Sequence, residues 1–136
     1  VVLMQGFNED EILDFIDFTK DKKVSVRFIE FMPFGGNNWK SNKLVSLASI
    51  LDLAETRYGP NLIRLNDNVH DTTKNYTVEG YAGSWGVIST VTSPFCSGCN
   101  RMRITADGKM KNCLFDNNEM DLLAKFRNGE SIANCV

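Results

Sequence analysis

Val24-Ser25-Val26-Arg27-Phe28-Ile29-Glu30-Phe31 is a run of β-branched and aromatic residues interrupted only by Ser25, Arg27 and Glu30. A short run of this composition reads as a strand of a parallel sheet covered by helices, because such strands are apolar almost throughout. Upstream, Val1-Val2-Leu3-Met4 is a second apolar strand, followed by a Gln5-Gly6-Phe7 turn. Between the two strands, Ile12, Leu13, Phe15, Ile16 and Phe18 keep helical spacing across 9–20, and Asp21-Lys22-Lys23 closes the helix. Asn8 reads as the helix cap, with Glu11 at the third helical position completing a capping box. Strand, helix and strand with short links make a βαβ unit. Polar groups near the carboxyl ends of such strands point toward a site. Arg27 and Glu30 differ in side-chain parity, so an undistorted strand aims them at opposite faces. Each reads either as ligand-facing or as structural, an internal salt bridge being the structural role for Arg27.

Downstream, Met32-Pro33-Phe34-Gly35-Gly36-Asn37-Asn38-Trp39 is a loop by its turn residues. It reads either as lining a cofactor pocket or as a cover in which Trp39 packs on the next helix; Met32 is core or pocket wall. Ser46 caps a second helix over 47–58 that Gly59-Pro60 ends. The pattern then changes: 61–74 is polar, and Tyr76-Thr77-Val78 and the run 85–91 are short strands of antiparallel character. The expected division is a βα part over 1–62 and a β-rich part over 63–136. A short helix is expected over 119–127, stopped by Asn128-Gly129, with Ser131 as cap of another. His70, the one histidine, falls in the polar link and reads as a solvated loop residue.

Three of the four cysteines stand at C-x2-C-x13-C: Cys96, Cys99 and Cys113. Ser97-Gly98 permits a tight turn between the first two, and Asp107-Gly108 is a two-residue hairpin signal that returns the chain toward them. Three thiolates on one centre leave a fourth position open, on zinc or on one iron of a cubane cluster. Arg101, Arg103, Lys109 and Lys111 around them against Asp107 invite an anion. A two-residue turn would set Ile104 opposite Lys111 and Met102 opposite Cys113, putting the arginines on the face away from Cys113. Alternatives are a four-cysteine zinc site completed by Cys135, Cys135 as a buried or terminal thiol, and a Cys96–Cys99 disulfide.

The net charge of -2 gives no global basic signature for nucleic acid, so the positive charge is local. No apolar run approaches the roughly 20 residues that span a bilayer, and no signal-peptide pattern opens the chain. The start on an apolar strand without Met suggests a piece of a longer protein.

Val1-Val2-Leu3-Met4-x-Gly6-x-Asn8-x-Asp10-Glu11, Val26-Arg27-Phe28-Ile29-Glu30-Phe31-Met32 and, above all, Phe95-Cys96-x-x-Cys99-Asn100-Arg101-x-Arg103-x-Thr105-x-Asp107-Gly108-x-x-x-x-Cys113-Leu114-Phe115 resemble the C-terminal half of the GTP 3',8-cyclase family. These are radical S-adenosylmethionine enzymes of molybdenum cofactor biosynthesis. The resemblance implies the C-terminal part of an incomplete (βα)6 TIM-like barrel, in the α/β class, with an appended β-rich α+β cluster-binding region. It implies a [4Fe–4S] cluster on Cys96, Cys99 and Cys113 whose free iron binds the guanine of GTP. Arg101, Met102 and Arg103 are then GTP-binding, Arg27 catalytic, and Met32 part of the S-adenosylmethionine wall. The family's second [4Fe–4S] cluster and its S-adenosylmethionine chemistry would lie upstream, leaving this chain inactive alone. The product, 3',8-cyclo-7,8-dihydro-GTP, would pass to cyclic pyranopterin monophosphate synthase, the parent forming a possible homodimer. The compartment would be mitochondrial in a eukaryote and cytoplasmic otherwise. The other reading is a stand-alone zinc- or nucleotide-binding module.

Overall fold

The computed structural model describes residues 1–34, 36–115 and 118–130, which form two compact units, Val1–Gly98 and Cys99–Val136. Cys135 and Ser131, and whatever they ligate or cap, lie outside the described residues.

The first unit holds β1 (Val2–Leu3), α1 (Ile12–Asp17), β2 (Ser25–Glu30), α2 (Leu47–Tyr58), β3 (Leu62–Arg64), β4 (Thr73–Val78) and β5 (Ser84–Ile88). Its sheet runs β1-β2-β5-β4-β3. β1 and β5 flank β2 in parallel, with Leu3 beside Glu30 and Phe28 beside Val87. β4 and β3 continue antiparallel, with Tyr76 opposite Trp85. The expected βαβ unit is therefore present, and the strands read as antiparallel from sequence join the same sheet rather than a separate one. Of the part of an incomplete barrel that the resemblance implies, no barrel topology is seen: among the described residues the sheet is open, with β1 and β3 as its edges. After α2 the chain turns back through an antiparallel pair instead of adding another parallel βα unit. The result is a mixed α/β fold.

Alternation decides which face is core. Phe28, Trp85, Val87, Tyr76 and Val78 share one face and are buried, together with Ile12 and Ile16 of α1 and Ile50 and Ala54 of α2. Tyr76 stacks on Trp85 with ring centroids 4.8 Å apart, and Phe28 meets Trp85 edge-on. On β2 the alternate residues Ser25 and Arg27 are exposed. Ser46 caps α2 by accepting from the Ser49 N–H at 3.1 Å, and Gly59 ends the helix with φ of 52°. The α1 start differs from expectation: a 3₁₀ turn over Glu9–Glu11 precedes it, and Asn8 bonds back to β1 through the Met4 N–H at 2.9 Å. Asn8 therefore ties strand to turn, while Glu9 accepts from the Gly6 and Phe7 N–H groups at 2.7 and 3.0 Å.

The second unit is a three-stranded sheet, β6 (Arg103–Ile104), β7 (Lys109–Lys111) and β8 (Met120–Asp121), followed by α3 (Leu122–Arg127). The helix expected from 119 begins later because Met120 pairs with Met110 and Asp121 caps α3, accepting from the Ala124 N–H at 2.8 Å.

Candidate functional site

Three sequence-read site residues are placed by the first unit. Arg27 is exposed on β2 and has no ion pair among the described residues. Met32 is half-buried just beyond β2, and its carbonyl accepts from Asn37 Nδ2 at 2.7 Å. Trp39 Nε1 donates to the Phe31 carbonyl at 2.7 Å, so the loop is fastened to the strand end by its own side chains. Cys96 is exposed and opens a 3₁₀ turn, Cys96–Gly98.

The residue of β2 that sequence left undecided has a definite role. Glu30 is fully buried and accepts from the N–H groups of Val91 and Thr92 at 2.8 and 2.9 Å, from the Thr92 hydroxyl, and from the Leu47 N–H at 3.0 Å. It makes no salt bridge among the described residues; it satisfies backbone donors at the ends of two loops.

In the second unit the hairpin register departs from the two-residue turn. Arg103 lies opposite Lys111 and Ile104 opposite Met110. The Thr105 N–H donates to the Lys109 carbonyl at 2.9 Å, leaving a three-residue loop in which Gly108 has φ of +80°. A type I turn followed by a left-handed residue is the usual form of such a loop, and Thr105 Oγ1 reinforces it by accepting from the Lys109 N–H at 3.0 Å. Shifting the register by one residue exchanges the faces, so Arg103 and its cross-strand partner Lys111 share a face instead of lying on the two sides of the hairpin. Glu119 holds both lysines, at 3.1 Å from Lys109 and 3.0 Å from Lys111, and Asp107 holds Lys109 at 3.1 Å. These contacts raise the Lys109 pKa, Glu119 first, and lower that of Glu119, Lys111 first. Arg103 has no ion pair among the described residues. Met102 is exposed.

The three-thiol [4Fe–4S] centre is corrected. Among the described residues no group of three or more His, Cys, Asp and Glu side chains could hold a metal ion. Cys96 and Cys99 are exposed free thiols and Cys113 is a half-buried one. The boundary between units falls between Cys96 and Cys99, so the second unit supplies two thiols among its described residues. Cys99 is turned toward arginine: Arg101 Nη2 approaches its Sγ at 3.8 Å. The Arg101 backbone N–H first, and then its side chain, pull the Cys99 pKa below the ordinary thiol value. The [4Fe–4S] cluster drawn from the resemblance therefore finds no ligand group among the described residues.

A family model described as Molybdenum Cofactor Synthesis C matches residues 24–135. The chain belongs to that family. It is 47% identical over 128 residues to a protein of Arabidopsis thaliana named GTP 3',8-cyclase, mitochondrial, covering 94% of this chain and 33% of that protein. It is 49% identical over 127 residues to the GTP 3',8-cyclase of Limosilactobacillus fermentum, covering 90% of this chain and 37% of that one. It is 46% identical over 132 residues to Molybdenum cofactor biosynthesis protein 1 of Drosophila melanogaster, covering 97% of this chain and 23% of that one. The chain thus spans about a quarter to about a third of these relatives.

Two residues of this Molybdenum Cofactor Synthesis C chain were not legible as site residues. Lys74 Nζ donates to Ser89 Oγ at 2.7 Å and to Ser93 Oγ at 3.2 Å. His70 stands beside the Cys96–Gly98 turn, since a Cβ on Gly98 would lie 3.5 Å from its Nδ1. Neither carries a spacing motif, because their partners are more than 14 residues away along the chain.

Proposed function

We propose that the protein of which this chain is part is a GTP 3',8-cyclase of molybdenum cofactor biosynthesis, and that this chain contributes GTP-binding groups. The observation that carries the reading is the identity of 47% and 49% to two proteins of that name across 94% and 90% of the chain. The hairpin supports it physically. Like charges directly across a strand pair destabilise it, and Arg103 opposite Lys111 is such a pair. Glu119 offsets the lysine, whereas the Arg103 guanidinium has no carboxylate among the described residues. A polyphosphate supplies the missing charge, and a guanidinium fork matches its oxygens.

In this reading Arg101 and Arg103 bind the triphosphate, Met102 contacts the nucleotide, and Arg27 and Met32 belong to the reacting end at the sheet. The product would be 3',8-cyclo-7,8-dihydro-GTP, consumed by cyclic pyranopterin monophosphate synthase. The test uses the full-length protein. Arg103→Ala removes a charge-assisted contact worth about 1.5–3 kcal/mol, a loss of about 10- to 150-fold in GTP affinity by calorimetry, with guanosine binding unchanged. Equal losses for GTP and guanosine would refute phosphate binding. Mass spectrometry of the nucleotide after turnover decides the reaction, since only the 3',8-cyclised product supports it.

A further inference from the structure

Glu30 ends β2, and Lys74 lies in β4 in register with Val87, which is itself in register with Phe28. By alternation Glu30, Ser89 and Lys74 occupy the same, helix-covered face of the sheet. A buried carboxylate and a half-buried ammonium group at one end of a sheet would ordinarily pair with each other. Here they do not: no salt bridge involves either among the described residues. Each is spent on the same short segment instead.

Glu30 receives the N–H groups of Val91 and Thr92 and the Thr92 hydroxyl. Lys74 donates to Ser93 Oγ at 3.2 Å and to Ser89 Oγ at 2.7 Å, and Ser89 Oγ in turn donates to the Ser93 carbonyl at 3.2 Å. Ser89 is fully buried. Three consecutive residues, 91–93, are thereby held by side chains of two different strands. Cys96 follows three residues later, and His70 flanks the turn that it opens. Keeping ionisable groups away from water is costly unless they are well partnered, so this arrangement spends stability on holding one segment in one conformation.

We propose that Glu30 and Lys74 are positioning residues: together they clamp 91–93 and so set the conformation of the Cys96–Gly98 turn, after which the chain continues to Arg101 and Arg103. The clamp itself stands on its geometry; its bearing on nucleotide binding rests on the GTP reading above. Lys74 touches no substrate in this scheme and acts through Ser89 and Ser93. A lysine serving only general stability would leave the turn no more reactive than the rest of the protein when removed.

The experiment compares wild type, Lys74→Met, Lys74→Arg and Glu30→Gln in the full-length protein. Alkylation by iodoacetamide is resolved by peptide mass spectrometry, with Tm and GTP kinetics measured alongside. Lys74→Met is expected to change the Cys96 alkylation rate and to raise the KM for GTP, each about tenfold, the size of a charged hydrogen bond. Cys113 alkylation, Tm and kcat should stay near wild type, and Lys74→Arg should restore both altered values. Glu30→Gln should change Cys96 alkylation in the same direction; should it fail to fold, the lysine pair decides. Wild-type Cys96 alkylation in Lys74→Met overturns the clamp. So does a fall in Tm with parallel changes at Cys96 and Cys113, which marks general loosening. Altered Cys96 alkylation with unchanged GTP KM overturns the link to the nucleotide. If the wild type itself does not turn over GTP, the functional reading fails, and the alkylation arm still judges the clamp.

Discussion

Gly83→Ala, set beside Gly80→Ala, separates a steric cost from a conformational one. Gly83 lies where the segment after α1 meets the start of β5. The Ala82, Gly83 and Ser84 N–H groups donate to the carbonyls of Lys20, Thr19 and Val24 at 2.8, 2.9 and 2.9 Å. A Cβ on Gly83 would stand 2.4 Å from both the Lys22 and the Val24 carbonyl oxygens. Restoring ordinary contact requires a shift of about 1 Å, and the Val24 oxygen cannot make it while holding Ser84. Losing two or three bonds at about 0.5–1.5 kcal/mol each, or accepting the overpacking at about 1–3 kcal/mol, predicts a destabilisation of about 1–4.5 kcal/mol. Gly80 has φ of +80° and open space where a Cβ would go. Its replacement costs only the left-handed conformation, about 1–2 kcal/mol. Urea unfolding followed by tryptophan fluorescence measures both, since Trp85 is fully buried. A Gly83→Ala variant within about 0.5 kcal/mol of wild type, or one less destabilised than Gly80→Ala, would refute the reasoning.

Gly108→Ala should open the hairpin, because φ is +80° and the new Cβ would lie 2.5 Å from Leu123 Cβ. Hydrogen exchange at the Thr105 amide, which bonds the Lys109 carbonyl, should accelerate by at least about tenfold; unchanged protection contradicts the three-residue loop. At alkaline pH, Tyr58 is the group to watch. Burial first, and then its bond and proximity to Asp17, push its pKa well above the ordinary 10. The folded state therefore keeps the proton that the unfolded state loses, so this contribution is complete below pH 10 and declines as pH rises above it. Tm should fall more steeply above about pH 10 in wild type than in Tyr58→Phe, and parallel curves there would contradict the assignment.

Local pattern carried the sequence reading furthest where the physics is local. The β1-α1-β2 unit, the Ser46 cap, the Gly59 stop and the hairpin around Asp107-Gly108 all follow from spacing and turn chemistry within a few residues. The family, too, was readable from 95–115 and 26–32. The barrel was not, because closure depends on strands pairing far apart along the chain, and β3 and β4 instead extend an open sheet. Hairpin register turned on a single residue: Thr105 and a left-handed Gly108 select a three-residue loop, which moves Arg103 to the face of Lys111. The thiols illustrate the limit most clearly. C-x2-C-x13-C states a spacing, but ligation needs convergence in space, and among the described residues no group of three or more His, Cys, Asp and Glu side chains could hold a metal ion. Glu30 was open to two readings in sequence and Lys74 fell unremarked in the polar stretch 61–74, because their partners lie 15 to 62 residues away. Only tertiary structure could decide that both hold the segment leading to Cys96, since a buried charge takes its role from whatever donors and acceptors packing brings to it.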